Sequence, residues 1–410
     1  MSTAPIAGLD TGPGPERLLT RQFAILALST SCFFLGVGSL NVLLPQFVVD
    51  DLGGSEATAG LAMGSMGISA IVTRVWFGRL ADRRGARLIM MIGAALAAIA
   101  SILLTLTTSV AALVGTRLVY GAGQAAFFTG STTLAVELAP AYRRSQAASY
   151  ILIAVHVGMG LGPVIAVALA DRLSYDTIWI LTALTVAIGG LIARLLAHRR
   201  PDPHAGPSPL IHPNALAPGF VSFLGIFAFN GFLIFAPLYA REIGLANVGL
   251  VFTVASLTIV IVRLLLGWVP DVIGPIRAGS GALLLTAAGA LVVALWAEPA
   301  GLFVGAVMLA GGLSLQSPSL IAVAVEGISP NERGSAMATF TGFFDIANAI
   351  VGPTIGLIVA GTGYRAAFVT ASIVALAGLV FLRVVVGPRW NRTRSVTTAA
   401  TVICAPRRRG

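Results

Sequence analysis

Twelve apolar runs of about twenty residues or more limit what this chain can fold into. They lie at about 22–48, 56–79, 87–107, 109–135, 145–170 and 176–196, then at about 219–240, 245–269, 278–297, 300–325, 335–361 and 364–386. A helix needs roughly 20 apolar residues to cross the hydrocarbon core of a bilayer. The runs do not alternate polar with apolar residues as membrane barrel strands do, so helices must satisfy their backbone groups in lipid. With 57% of its 410 residues hydrophobic and only 10% charged, the chain has no soluble globular reading. The fold expected is an all-α membrane protein of twelve transmembrane helices. It divides into an N-terminal tail (1–20), a six-helix bundle (21–197), a Pro-rich linker (198–217), a second six-helix bundle (218–387) and an Arg-rich tail (388–410).

The charge pattern orients those helices. The net charge is +10 and all 26 basic residues are arginine. Of these, 20 fall in the tails and even-numbered loops, while Arg172, Arg241 and Arg365 lie on the other side and Arg74, Arg117 and Arg263 lie within helices. The opposite side carries Asp50, Asp51, Glu56, Asp171, Asp176, Glu242 and Glu298. Arginine-rich loops mark the cytoplasmic side, which puts both termini in the cytoplasm and the protein, multi-pass, in the cell inner membrane. The basic balance thus points to a lipid bilayer and not to nucleic acid. The two cysteines, Cys32 and Cys404, offer no disulfide framework and no metal-ligand spacing.

The halves also repeat. Arg74, Gly78, Asp82 and Gly85 recur as Arg263, Gly267, Asp271 and Gly274 at an offset of 189. Pro140, Arg143, Gly162 and Pro163 recur as Pro330, Arg333, Gly352 and Pro353 at an offset of 190. Eight special residues in register describe a duplicated six-helix unit, so the two bundles are pseudo-symmetric. Parallel duplication of this kind belongs to two-lobed transporters with a site near the membrane midplane.

From residue 20 to 387 the sequence resembles the major facilitator superfamily, and three motifs carry the likeness. Gly78-x-x-x-Asp82-Arg83-x-Gly85-x-Arg87 resembles that family's signature loop between helices 2 and 3, with Ala86 where the family has a basic residue. The resemblance implies a gating loop of Gly78, Asp82, Arg83, Gly85 and Arg87. In it Asp82 faces the start of helix 11 and latches the lobes in the outward-open state, where a helix N-terminus favours a carboxylate. Arg117, followed by Gly121 and Gly123, resembles the helix-4 motif, whose arginine the family associates with proton coupling. Gly158, Gly162 and Pro163 on helix 5 partly resemble the antiporter motif, without its closing glycines, and are expected to form a hinge favouring export. Ordinary close helix packing is the plainer alternative.

Polar residues inside helices are few. Asp345, on helix 11, is the one acid far from either membrane face, where an isolated carboxylate must be protonated or paired. Helices 2 and 11 are neighbours in the family fold, so Arg74 is its expected partner. The repeat then places Arg263 near position 155 or 156, which brings in His156. The proton-coupling residues expected are Asp345, Arg117, Arg74 and His156, with a structural ion pair as the alternative. Helices 1, 4, 7 and 10 line the cavity in the family, making Asn41, Gln124, Asn230 and Gln316 candidate substrate contacts. Each can equally be a helix–helix hydrogen bond. Phe33, Phe34, Phe127, Phe128, Phe227 and Phe229 could wall the same space or simply pack.

The expected function is secondary active transport, namely proton-coupled export of a small organic molecule (a drug or metabolite) by alternating access, acting as a monomer. The alternative is a proton symporter importing a nutrient or organic anion. An enzyme is not expected, since no nucleophile–base pair, metal cluster or nucleotide-binding loop is present, and no cofactor is implied.

Overall fold

The computed structural model describes residues 20–140, 144–170, 172–197, 211–245, 247–328 and 332–390; the side chains at 75, 82, 144–146, 148, 149, 333 and 334 lie outside that description. Among the described residues, twelve helices have 18 residues or more. They are α1 (Arg21–Asp50), α2 (Glu56–Arg84), α3 (Ala86–Leu103), α4 (Val110–Leu138), α5 (Arg144–Ala170) and α6 (Tyr175–Ala193), followed by α7 (Pro213–Glu242), α8 (Gly249–Leu266), α9 (Pro275–Leu295), α10 (Pro299–Val325), α11 (Arg333–Thr362) and α12 (Tyr364–Phe381). A single helical turn, Val269–Ile273, sits between α8 and α9. Among the described residues, ten of the twelve are long and apolar enough to cross a membrane. The other two, α2 and α4, are each 29 residues long but are diluted by Gly, Ser and Thr and carry Arg74 and Arg117.

The helix starts are written locally. Thr20, Ser55, Ser109 and Ser174 cap α1, α2, α4 and α6, each side-chain oxygen accepting from a backbone N–H three residues on. Pro213, Pro275 and Pro299 open α7, α9 and α10, where the missing N–H costs nothing. That proline, with the His212 ring accepting from the Asn214 N–H at 3.3 Å, starts α7 six residues before its apolar run begins.

The first six helices pack together, α1 on α5 and α6, α2 and α3 on α4, and α3 on α6. The last six do likewise, α9 on α10 and α12, α7 on α10, α11 and α12, and α8 on α10. The two lobes meet along three seams, α2–α11, α5–α8 and α1–α7. In lipid no hydrophobic force drives helices together, so small residues and side-chain hydrogen bonds carry the packing. Within a lobe, Ser29 donates to the Gly189 carbonyl at 2.7 Å, tying α1 to α6, and Ser372 donates to the Ala287 carbonyl at 2.8 Å, tying α12 to α9.

The repeated Gly78–Gly85 stretch is mostly helix and not loop. α2 runs through Arg84, Gly85 alone makes the turn, and α3 begins at Ala86. Gly85 has φ 92° and its repeat, Gly274, has φ 87°, a backbone region in which an L side chain is strained.

Candidate functional site

The α2–α11 seam positions the site. Seen along α2, Gly60, Gly64, Gly67, Arg74 and Gly78 fall on one stripe, and Gly342, Asp345, Ala349, Gly352 and Gly356 face them on α11. The glycines bring backbone onto backbone. A Cβ at Gly60 would overlap the Gly352 carbonyl, at Gly64 it would come within 2.6 Å of the Ala349 carbonyl oxygen, and at Gly67 it would overlap Ala349. Toward the other end the contact stops, because a Cβ at Gly78 or at Gly342 would meet nothing within 4 Å. Among the described residues the close backbone contact is thus confined to the half of the seam that carries the α1–α2 and α11–α12 loops.

Arg74 and Asp345 stand between the close glycine contacts and Gly78 and Gly342, where that contact has stopped. Arg74 Nη2 donates to Asp345 Oδ1 at 2.8 Å, and its Nε pairs with Oδ2. The Arg74 guanidinium also lies over the Phe128 ring of α4, 5.5 Å from its centroid. The Asp345 side chain is 9% exposed and that of Arg74 20% exposed, so the pair is covered but not sealed. One turn along α11, Asn348 accepts from Asn230 Nδ2 at 2.9 Å. Asn348 escapes a sequence reading that takes polar residues from helices 1, 4, 7 and 10, although it stands three positions from Asp345 on the same face.

The equivalent positions of the other seam hold different chemistry. His156 lies on α5 with Arg263 as the charged group acting on it, as the repeat predicts. Its Nδ1 is 2.6 Å from the Leu152 carbonyl oxygen, which places the ring proton there. Asp345 and His156 therefore belong to opposite seams and do not form one site.

Arg117 is 1% exposed and has no carboxylate partner among the described residues. Its Nη2 approaches Met66 Sδ at 3.2 Å and Met63 Sδ at 3.8 Å, its guanidinium lies 5.3 Å from the Tyr120 ring centroid, and Nε and Nη1 find no acceptor. It faces α2 within its own lobe, not Arg74 or Asp345.

Gly158, Gly162 and Pro163 pack α5 onto α1. A Cβ at Gly162 would overlap the Leu35 carbonyl, and Pro163 lies against Gly38. Ser39 donates to the Gly162 carbonyl at 3.1 Å. The repeated pair, Gly352 and Pro353, packs across the lobes onto Gly60 and Gly64 of α2 instead. Gln316 is fully buried and donates to the Ser222 carbonyl of α7 at 3.2 Å, a helix–helix bond, while its Oε1 has no hydrogen-bond partner. Gln124 Oε1 and Asn41 Oδ1 are buried with no hydrogen-bond partner.

Of the gating residues, Arg83 is exposed, and Arg87 donates to the Leu196 carbonyl at 2.9 Å, fastening the α2–α3 turn to the end of α6. The Asp82 side chain lies outside the described residues. At the end with the close glycine contact a second polar closure is fully visible. Arg241 Nη1 donates to both Asp50 oxygens at 2.9 and 2.7 Å, and Nη2 donates to Gln46 Oε1 at 2.7 Å, bridging α7 to α1. Beside it, burial and the Asp50 and Asp176 carboxylates hold the Asp51 carboxyl above its ordinary range. Beneath it a cavity of about 110 Å³ is lined by Leu43, Gln46, Pro237 and Arg241, among others.

The two-lobed helical arrangement recurs in known proteins. The Major Facilitator Superfamily model matches residues 26–246 and 218–407. An uncharacterized MFS-type transporter of Burkholderia mallei (strain SAVP1) is 27% identical over 390 residues, covering 90% of this chain and 94% of the relative. One from Salmonella typhimurium (strain LT2) is 28% identical over 374 residues, covering 87% and 95%. Among solved structures, the human organic anion transporter MFSD10 superposes with TM-score 0.70 at 19% identity, covering 88% of this chain and 99% of that one. A POT family transporter in complex with a thioalcohol-conjugated peptide gives 0.77 at 15% identity, covering 90% and 96%. The chain belongs to the Major Facilitator Superfamily and is a multi-pass membrane transporter, not an enzyme.

Proposed function

We propose that the protein exports a small organic molecule in exchange for protons, with Asp345 as the group that carries the proton and Arg74 as its partner. The end of the α2–α11 seam beyond the close contact is taken as cytoplasmic, following the arginine-rich even loops, with both termini on that side of the inner membrane. One observation carries the reading: a covered acid–base pair bridges the two lobes where the close glycine contact of the α2–α11 seam ends. A carboxylate there exchanges with the cytoplasm while the outside is closed. When the lobes rock, the same carboxylate is exposed to the outside. Arg74 donates to the carboxylate, and protonation of Asp345 would release the pair. Export is supported by the partial antiporter motif at Gly158, Gly162 and Pro163. The transporters of like fold handle organic anions, nucleosides and peptides, so the fold by itself names no substrate.

The test uses the purified protein in liposomes containing a pH-sensitive dye. Drugs, neutral metabolites and organic anions are added outside under a proton gradient. Proton movement opposite to the compound, abolished by Asp345→Asn, is the expected result. Proton entry with the compound makes it a symporter, and coupling that survives Asp345→Asn removes the carrier role.

A further inference from the structure

The two inter-lobe seams repeat each other in sequence but not in charge. On the α2–α11 seam Arg74 meets Asp345. At the repeated positions, 189 residues on from Arg74 and 189 back from Asp345, stand Arg263 of α8 and His156 of α5. Arginine thus faces a carboxylate across one seam and an imidazole across the other. Among the described residues Arg263 makes no ion pair, and no carboxylate acts on it.

The packing of the seam aims Arg263 at His156. A Cβ at Gly160 would overlap Ser256, and one at Gly249 would come within 3.3 Å of Val167, so α5 and α8 run antiparallel with Gly160 level with Ser256. Gly249, Ser256 and Arg263 are seven residues apart, about two turns each, and share that face. The lipid face of α8 lies elsewhere: Leu250, Leu257, Ile261 and Leu264 are each more than half exposed, while Arg263 is partly covered. Side chains lean toward the N-terminus of their own helix. In this antiparallel pair Arg263 and His156 therefore lean toward each other, and Arg263 is the charged group that acts on the ring. With the Nδ1 proton on the Leu152 carbonyl, His156 Nε2 is left as an acceptor.

We infer that Arg263 and His156 form an anion-binding site across the α5–α8 seam, and that the transported molecule is an organic anion with a hydroxyl or amide N–H beside its charge. The inference rests on the transporter reading above and adds the substrate class. The guanidinium takes the carboxylate through paired N–H donors, and Nε2 accepts from the neighbouring donor. Well inside the apolar runs, three cations (Arg74, Arg117 and Arg263) stand against one acid, Asp345. Asp345 is taken by Arg74, and Arg117 is sealed in its own lobe against Met63 and Met66. Arg263 remains as the cation that a ligand can neutralise, and an uncompensated charge at that depth is costly. Because α5 and α8 belong to different lobes, the anion does for this seam what Asp345 does for the other. It is held best with both lobes against it, which is the differential affinity that a rocking transporter needs.

Two measurements on the full-length protein test this without a proton gradient and without altering Asp345, so their outcome is separable from that of the coupling proposal. The first needs no ligand. In a background lacking Cys32 and Cys404, His156→Cys is treated with an anionic sulfonate methanethiosulfonate and with its cationic trimethylammonium counterpart, each rate taken relative to a free thiol in solution. The anionic reagent is expected to be favoured tenfold or more, and Arg263→Gln to erase the preference. No reaction with either reagent, no anionic preference, or a preference that survives Arg263→Gln overturns the site. The second is binding by thermal shift to a size-matched aryl series of 2-hydroxy acids, parent carboxylates, amides and amines, with sodium phosphate as the inorganic anion. The hydroxy acids are expected to bind best, Arg263→Gln to weaken them tenfold or more, and His156→Phe to bring them level with the parent acids. His156→Asp, which rebuilds the pair of the other seam, should raise the melting temperature and abolish acid binding. Preference for amides or amines, binding of phosphate alone, no binding by any acid, or acid binding unchanged in Arg263→Gln overturns the inference.

Discussion

Adding one methyl group to the α2–α11 seam should shift the balance between the protein's two faces. In Gly64→Ala the new Cβ would stand 2.6 Å from the Ala349 carbonyl oxygen, with Pro353 Cγ also at 2.6 Å. Pro353 Cδ is nearer still, and ordinary van der Waals contact begins near 3.4 Å, so the helices must part by at least about 0.8 Å or tilt. Forcing a methyl into a packed seam costs roughly 1–3 kcal/mol. That cost falls on the outside-shut arrangement, where the contact exists, and not on one in which the outer seam has opened. With about 1.4 kcal/mol per tenfold, the ratio of outward-open to inward-open protein rises by roughly 5- to 150-fold. Gly78→Ala is the counterpart, because its Cβ meets nothing within 4 Å in this state. It should leave the inward-open arrangement unstrained and hinder closure of the inner seam, shifting the ratio the other way. Spin labels on the α1–α2 and α7–α8 loops report the outer separation by electron–electron resonance. If Gly64→Ala leaves that distance distribution unchanged, or both variants move it in one direction, the seam is not the contact that alternates.

Four further outcomes follow from the geometry. Arg74→Leu leaves the covered Asp345 carboxylate unpaired and should destabilise by about 3–5 kcal/mol, whereas Arg74→Leu with Asp345→Leu should recover most of the loss in thermal unfolding. Arg117→Met removes a buried guanidinium that has no acidic partner, so the melting temperature should hold or rise even if transport fails. Arg241→Ala breaks an exposed pair and should cost no more than about 1 kcal/mol of stability, while raising thiol-reagent access to a cysteine placed at Leu43. Gly85→Ala puts a side chain at φ 92° and should cost roughly 1–2 kcal/mol, measured by thermal unfolding in detergent, with Gly274→Ala close behind.

Much of this was legible because membrane helices leave polar residues nowhere to hide. Asp345 needed a partner, Arg74 lay at matching depth on the neighbouring helix, and the two are bonded. The repeat carried Arg263 to His156 by the same logic. What depends on helix rotation was not legible. Arg117 faces Met63 and Met66 of its own lobe, and Gln316 turns into α7, although both lie on helices expected to line the cavity. Spacing along one chain fixes depth in the membrane, but the azimuth of each helix is set by packing against several others.

The two Gly-Pro steps have a bearing on how far the halves are interchangeable. Gly162 and Pro163 press on α1 inside one lobe, while Gly352 and Pro353 press on α2 across the gap. A tandem of two first halves would keep every helix and every turn yet lose the second kind of contact, along with Asp345. Such a chimera would keep the contacts that build each bundle but lose the close glycine seat of α11 on α2.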